Sequence, residues 1–145
     1  MTSLRNLIII VLSISLVAVC SCRLPEPQAL HPLADSVKAE FRHAWKAYKE
    51  YAWGHDALQP LSKKPFDWYG RSLLLTPVDA FDTMLLMGLS QEAGEAKKLI
   101  FDSLSFDMDI EVQAFEIIIR VLGGLLSAYE MDGDRRFLAL AEDLG

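Results

Sequence analysis

Residues 112–129 constrain the fold more than any other part of the chain. The segment reads VQAFEIIIRVLGGLLSAY, and its apolar residues fall on every side of a helix. A helix that is apolar all round must be surrounded by other protein. Residues 91–103 instead combine apolar and charged positions at helical spacing, which is typical of a helix at a surface. Inner helices surrounded by outer amphipathic helices predict an all-α fold of the α/α toroid type.

Short turn signals divide the rest of the chain into helices. Thr76 is predicted to cap a helix that has Pro77 at its first position, and Ser90 and Asp109 are predicted to cap the next two. We expect no pair of strands. The predicted helices cover residues 36–53, 77–87, 91–103, 110–131 and 135–144.

Residues 54–75 form the longest irregular segment. Connections of this length without secondary structure are uncommon and are often functional. Trp68 and Tyr69 lie within it, and we regard both as candidates for stacking against a ligand. The aromatic residues of the first helix are more typical of a core.

Two charged residues interrupt the apolar helix. Glu116 and Arg120 are four residues apart and therefore share one helix face. The ordinary interpretation is an intrahelical salt bridge. The alternative is a functional site, because ionising a buried pair costs several kcal/mol unless both charges are well satisfied. Gly123 and Gly124, in the same helix, are assigned to close packing.

Asp79 and Asp82 are further candidate site residues. The ordinary explanation of Asp79 is stabilisation of a helix N-terminus. Asp82 lies a turn further in and is expected to face the interior of the ring. His43 and His55 have no partner at metal-ligand spacing, so no metal site is predicted in this chain.

The first 22 residues have the pattern of a secretion signal. Arg5 precedes a 13-residue apolar run that ends at Val19, which is short for a membrane span. Cys22 or Cys20 is the predicted lipidation site. We expect a protein secreted across the inner membrane and anchored by lipid in the bacterial envelope. Simple secretion and an uncleaved anchor are the alternatives.

The remaining organisation follows from composition and charge. Residues 23–35 contain three prolines and predict a tether, with the folded domain at residues 36–145. The domain has no cysteine and therefore no disulfide. The net charge is −6 and no basic stripe is present, so nucleic acid is not an expected partner.

Three segments resemble successive blocks of glycoside hydrolase family 47, the class I α-mannosidases. They are residues 45–62 (WKAYKEYAWGHDALQPLS), 76–89 (TPVDAFDTMLLMGL) and 115–129 (FEIIIRVLGGLLSAY). The third is the most specific. Together they extend the resemblance over about residues 40–145.

This resemblance implies an (α/α)₇ barrel, a bound Ca²⁺ and inverting hydrolysis of α-1,2-linked mannose in an oligosaccharide or N-glycan. Glu116 corresponds to the general acid, Arg120 lies beside it, and Asp79 or Asp82 matches an acidic residue near the site. Inverting catalysis needs an acid and a base about 6.5–9.5 Å apart. Desolvation is expected to raise the pKa of Glu116, and Arg120 opposes that shift.

The resemblance covers only about the first third of the barrel. The family's base carboxylates and the threonine that holds calcium lie further along the chain. We therefore expect this chain to be inactive by itself, as the N-terminal fragment of the enzyme. The alternative hypotheses are a non-catalytic helical lipoprotein that binds glycan or a protein partner, and a mannosidase-like glycan-binding protein.

Overall fold

Helices dominate residues 32–145, the part of the chain that this computed structural model describes. In chain order they are α1 (Pro32–Tyr51), α2 (Leu75–Leu86), α3 (Ser90–Ser103), α4 (Ala114–Glu116), a π-helix π1 (Ile117–Leu122), α5 (Gly123–Asp132) and α6 (Arg135–Leu144). The predicted signal, both cysteines and most of the tether lie outside the described residues. Within residues 32–145, no helix has both the length and the apolar character that crossing a bilayer requires.

Helix α1 begins earlier than predicted, inside the segment assigned to the tether. Pro32 is its first residue, a position where the missing N–H of proline is not needed. Trp45 and Tyr48 are buried, and their ring centroids are 5.2 Å apart. The aromatic face of α1 is therefore core, as the helical stripe indicated.

A short antiparallel hairpin follows α1, and the expectation of no strand pair is wrong. Strand β1 (Ala57–Gln59) pairs with β2 (Lys64–Phe66), with Leu58 opposite Pro65. Three-residue strands give too little alternation to detect, and proline at an edge is tolerated because its neighbour on one side is solvent. In the connecting loop, Lys63 adopts a left-handed φ of 53°.

Helix α2 begins by a different device from the predicted threonine cap. Leu74 precedes the helix in the left-handed region, with φ 53°. The Thr76 hydroxyl donates to the backbone oxygen of Asp56 at 2.6 Å. The capping prediction for Thr76 is therefore wrong, because this hydroxyl binds the segment after α1. Ser90 begins α3 but makes no side-chain cap.

The run of α4, π1 and α5, here called the inner run, starts later than predicted. Residues 104–113 are not helical, so Asp109 caps nothing and the predicted start at Ile110 is wrong. Helix α2 packs against α3 and α5, and α6 packs against α5. A Cβ on Gly124 would lie 2.7 Å from Val78 Cγ1, which confirms a packing role for this glycine. A Cβ on Gly123 would meet only a carbonyl of its own helical run.

The inner run is buried on one face only. Ile117, Val121, Leu125 and Ala128 belong to the core. The opposite face is exposed: Phe115 is 68% exposed, Ile118 57% and Ile119 50%. The expectation that this helix is enclosed on every side is therefore wrong for this chain.

Candidate active site

Arg120 joins two of the predicted site carboxylates. Its Nε donates to Glu116 Oε2 at 2.6 Å, and its Nη1 donates to Asp79 Oδ2 at 2.8 Å. The first contact follows from the four-residue spacing of Glu116 and Arg120 on the inner run. The second depends on the packing of α2 against that run. The result is a carboxylate–guanidinium–carboxylate cluster at the junction of two helices.

Trp68 completes the cluster from the long loop. The guanidinium carbon of Arg120 lies 5.3 Å from the centroid of the Trp68 ring, within cation–π range. Trp68 is 41% exposed, so part of its ring remains available to a ligand. Tyr69, the other aromatic candidate, is half-buried against the hydrophobic core and does not join the Arg120 cluster.

Asp82 lies one turn beyond Asp79 and makes different contacts. Its Oδ2 accepts from Ser127 Oγ at 2.8 Å, and its Oδ1 accepts from Thr83 Oγ1 at 3.3 Å. The Ser127 contact links α2 to α5. Asp82 therefore borders the cluster without contacting Arg120.

The electrostatics of the cluster concentrate on Asp79. Burial raises the pKa of Asp79 above its usual value, and the charges of Asp82 and Glu116 act in the same direction. The hydrogen bond and charge of Arg120 oppose this shift without cancelling it. Hydrogen bonds to Glu116 and Asp79 raise the pKa of Arg120, which therefore stays charged. The side chains of Glu116 and Asp79 are 21% and 34% exposed, so a ligand can reach both.

Asp56 is a residue of this region that sequence reasoning missed. It is 1% exposed, and its carboxylate accepts hydrogen bonds from the backbone N–H groups of Trp68, Leu73 and Leu75 and from the hydroxyl of Ser72. A single aspartate in a loop looks like a solvated residue in the sequence. Only the folded loop shows that its neighbours converge on it.

The histidine of the same loop has a structural partner. His55 Nδ1 lies 3.0 Å from Asp67 Oδ2, and Asp67 Oδ1 accepts the N–H of Asp56 at 3.0 Å. Tyr48 donates its hydroxyl to the carbonyl of His55 at 2.7 Å. These contacts tie the start of the loop to α1.

The residues of this cluster do not fit a calcium ion. Ca²⁺ takes six to eight oxygen ligands, and the carboxylates of Glu116 and Asp79 are both bound to Arg120. Across residues 32–145 there is no group of three or more His, Cys, Asp or Glu side chains arranged to hold a metal.

Comparison with known proteins gives a consistent result. The model of glycosyl hydrolase family 47 matches residues 40–145. The endoplasmic reticulum mannosyl-oligosaccharide 1,2-alpha-mannosidase of Rattus norvegicus is 48% identical over 120 residues, which are 83% of this chain and 18% of the relative. Its counterpart in Homo sapiens is 51% identical over 105 residues, 72% of this chain and 15% of the relative.

A solved structure is also similar. The alpha-1,2-mannosidase from Trichoderma reesei matches with a TM-score of 0.61 at 34% sequence identity, covering 74% of this chain and 22% of that protein. The chain thus spans less than a quarter of the length of each of these relatives.

Proposed function

The chain belongs to glycosyl hydrolase family 47, and we propose that it is the part of an α-1,2-mannosidase that carries the general acid. Its helices are the first hairpins of the (α/α)₇ barrel of that family. The proposed substrate is a mannose-containing oligosaccharide or N-glycan. The relatives are 1,2-alpha-mannosidases, and this chain spans 18% of the rat enzyme.

The cluster of Glu116, Arg120, Asp79 and Trp68 is the observation that supports this proposal. Glu116 protonates the glycosidic oxygen as the bond from that oxygen to the sugar breaks. In the same step, a water attacks the opposite face of the sugar and gives its proton to a base. Arg120 orients Glu116 through the 2.6 Å hydrogen bond, and the exposed part of the Trp68 ring offers a surface for a sugar.

Asp79 is the second candidate for the protonated carboxyl. Burial raises its pKa, which is the property that a general acid requires. It accepts a hydrogen bond from Nη1 of the same guanidinium whose Nε binds Glu116. Separate substitution of Glu116 and Asp79 by their amides distinguishes the two assignments.

We propose that the longer enzyme depends on calcium and that it supplies the catalytic base. We further propose that the 145-residue chain does not hydrolyse α-1,2-mannosides by itself, because the family resemblance implies a base and a calcium-holding threonine beyond the three matching blocks.

The first test uses residues 23–145, the chain without its predicted signal and lipid, with α-1,2-mannobiose and added Ca²⁺ or EDTA. The expected result is no release of mannose. Release that Glu116→Gln abolishes and that Glu130→Gln leaves intact contradicts the proposed inactivity and supports the role of Glu116. Cooperative folding and binding of mannobiose without cleavage supports a glycan-binding module instead.

The second test concerns the gene. Sequencing the DNA beyond codon 145 is expected to show an in-frame continuation with further acidic blocks. The longer product is expected to release mannose with Ca²⁺ and to lose this activity with Glu116→Gln. A longer product that is equally active with Glu116→Gln contradicts the assignment of the acid.

We also propose that the protein is secreted across the inner membrane and anchored in the bacterial envelope by a lipid on Cys22 or Cys20. Labelling bacteria with radioactive palmitate tests it. Label is expected in the wild-type chain and is expected to disappear when the lipidated cysteine is replaced by serine. Label that persists in the Cys20→Ser, Cys22→Ser double variant contradicts the anchor.

A further inference from the structure

Asp56 lies in the loop that delivers Trp68 to the Arg120 cluster. Its Oδ2 accepts the N–H of Trp68 at 3.0 Å. Its Oδ1 accepts the N–H groups of Leu73 at 2.7 Å and Leu75 at 3.2 Å, and the Ser72 hydroxyl at 3.2 Å. One buried carboxylate thus binds both ends of the segment from Trp68 to Leu75.

The same residue fixes the start of α2. The carbonyl of Asp56 accepts the N–H of Thr76 at 3.1 Å and its hydroxyl at 2.6 Å. Asp79, the partner of Arg120, lies on the following turn of that helix. Asp56 therefore contacts the segments that carry Trp68 and Asp79, two of the three neighbours of the guanidinium.

We propose that Asp56 is a positioning residue that holds Trp68 against the Arg120 guanidinium and so orients the Glu116–Arg120–Asp79 cluster. Asp56 touches none of these three side chains in a hydrogen bond and acts through the loop backbone. The inference rests on the proposed function only where it places Trp68 at a sugar-binding surface.

Asp56→Asn is a selective test because Trp68 binds one carboxylate oxygen of Asp56 and the other three donors bind the other oxygen. An asparagine has one accepting oxygen and one donating NH₂ group. With its oxygen at the Oδ1 position it keeps the three donors from Ser72, Leu73 and Leu75. Its NH₂ group then faces the N–H of Trp68, two donors that repel each other. The opposite orientation loses the two hydrogen bonds from the N–H groups of Leu73 and Leu75, so the contact to Trp68 is the one expected to break.

Ser72→Ala is the matched control. It removes one hydrogen bond from the same carboxylate, on the Oδ1 side. The bond from Trp68 to Oδ2 stays intact. The two variants therefore separate release of Trp68 from general weakening of the loop.

The measurement is ¹⁹F NMR of the full chain labelled with 5-fluorotryptophan. Trp68→Phe identifies the Trp68 resonance among those of the three tryptophans. Arg120→Gln gives the chemical shift of this resonance when no guanidinium lies against the ring. We expect Asp56→Asn to move the Trp68 resonance towards that position and to leave the Trp45 and Trp53 resonances in place. Ser72→Ala is expected to move none of them. An unmoved Trp68 resonance in Asp56→Asn, or an equal shift in Ser72→Ala, overturns the proposal.

Amide exchange in the wild-type chain decides the question if Asp56→Asn does not fold. The Trp68 N–H is expected to exchange at least about tenfold more slowly than in an unfolded chain, because it donates to a buried charge. Exchange at the unfolded rate overturns the proposal. A separate experiment titrates the wild-type chain with α-1,2-mannobiose. If the Trp68 resonance does not move in this titration, the proposed function is contradicted, and the conclusion about Asp56 is unaffected.

Discussion

Asp79 and Asp134 show that an arginine partner alone does not decide the pKa of a carboxylate. Asp134 accepts two hydrogen bonds from the Arg136 guanidinium and one from its backbone N–H, and they lower the pKa of Asp134. Asp79 accepts one hydrogen bond from Arg120, and burial raises its pKa in spite of it. The number of donors and the neighbouring charges separate the two residues, because Asp82 and Glu116 lie near Asp79 whereas Lys97 lies beside Asp134.

Loss of Arg120 is expected to raise the pKa of Asp79 further. In the wild type, the hydrogen bond and the charge of Arg120 both lower this pKa against the effect of burial. Arg120→Gln removes the positive charge, and the influences that remain (burial and the charges of Asp82 and Glu116) all raise the pKa of Asp79. Carbon-13 NMR of the Asp79 carboxyl measures the change. In the control Arg136→Gln, the pKa of Asp134 is expected to rise and the pKa of Asp79 to stay at its wild-type position. A lower pKa of Asp79 in Arg120→Gln contradicts this account.

The raised pKa of Asp79 also predicts how stability depends on pH. Between the ordinary value of 3.8 and the raised folded value, the folded chain holds a proton that the unfolded chain has lost. The contribution of Asp79 is therefore fully present below pH 3.8 and is lost as pH rises through the folded pKa. We expect the wild type to lose stability relative to Asp79→Asn over that window. Urea unfolding of both proteins across the window measures the difference, and a difference that grows in favour of the wild type excludes the prediction.

At the scale of elements, the accuracy of sequence-based prediction depends on whether the signal is local. The bounds of α6 agree with the prediction and those of α3 agree within one residue, because an amphipathic pattern and a turn define each of them locally. The start of α2 depends on Asp56, which lies eighteen residues before Leu74. The Asp56 carboxylate accepts hydrogen bonds from the N–H groups of Leu73 and Leu75, on either side of Leu74. The π-helix Ile117–Leu122 has no periodic signature in a segment whose only charged residue is Arg120. The start of α2 requires contacts between segments that are distant in sequence.

The same distinction applies to the candidate site. The pair of Glu116 and Arg120 follows from spacing alone, and the structure places the two side chains in a hydrogen bond. Contact of Arg120 with Asp79 and Trp68 requires α2 and the long loop to pack beside the inner run. Sequence reasoning could name these residues as candidates, but it could not bring them to one guanidinium.

Gly124 and Gly123 provide a matched test of packing between α2 and α5. A Cβ at Gly124 would lie 2.7 Å from Val78 Cγ1 and 3.3 Å from the Val78 oxygen, so the helices would have to separate. Overpacking costs about 1–3 kcal/mol, and alanine in a helix regains about 0.5–1 kcal/mol. We expect Gly124→Ala to lower the free energy of unfolding by about 1 kcal/mol and Gly123→Ala to leave it equal or higher. Urea unfolding measures both.

A rescue experiment completes this test. Val78→Ala removes the methyl groups that the new Cβ would meet, so it is expected to cost less stability in the Gly124→Ala background than in the wild type. Equal losses from Gly123→Ala and Gly124→Ala, or additive effects of Val78→Ala and Gly124→Ala, exclude close helix approach as the reason for the glycine.

At the scale of the whole molecule, the inner run has more apolar surface than this chain covers. One face enters the core, and the other presents large apolar side chains to solvent, namely Phe115, Ile118, Ile119 and Leu126. Contiguous apolar surface of this kind marks contact with further protein. Under the proposed function, the remaining helices of the barrel cover this face in the longer enzyme. In the 145-residue chain it faces water.

The exposed apolar face is therefore expected to make the isolated chain self-associate. Burying an isoleucine contributes about 1.5–3 kcal/mol, so the double substitution Ile118→Gln, Ile119→Gln is expected to weaken association by at least about tenfold. Glutamine is a good helix former, so the helix itself should persist. Leu61→Gln is the control, because Leu61 is 101% exposed but lies in the hairpin loop, away from this face. Sedimentation velocity over a range of concentrations measures the dissociation constants. A wild-type chain that stays monomeric, or an equal effect of Leu61→Gln, shows that this face does not drive association.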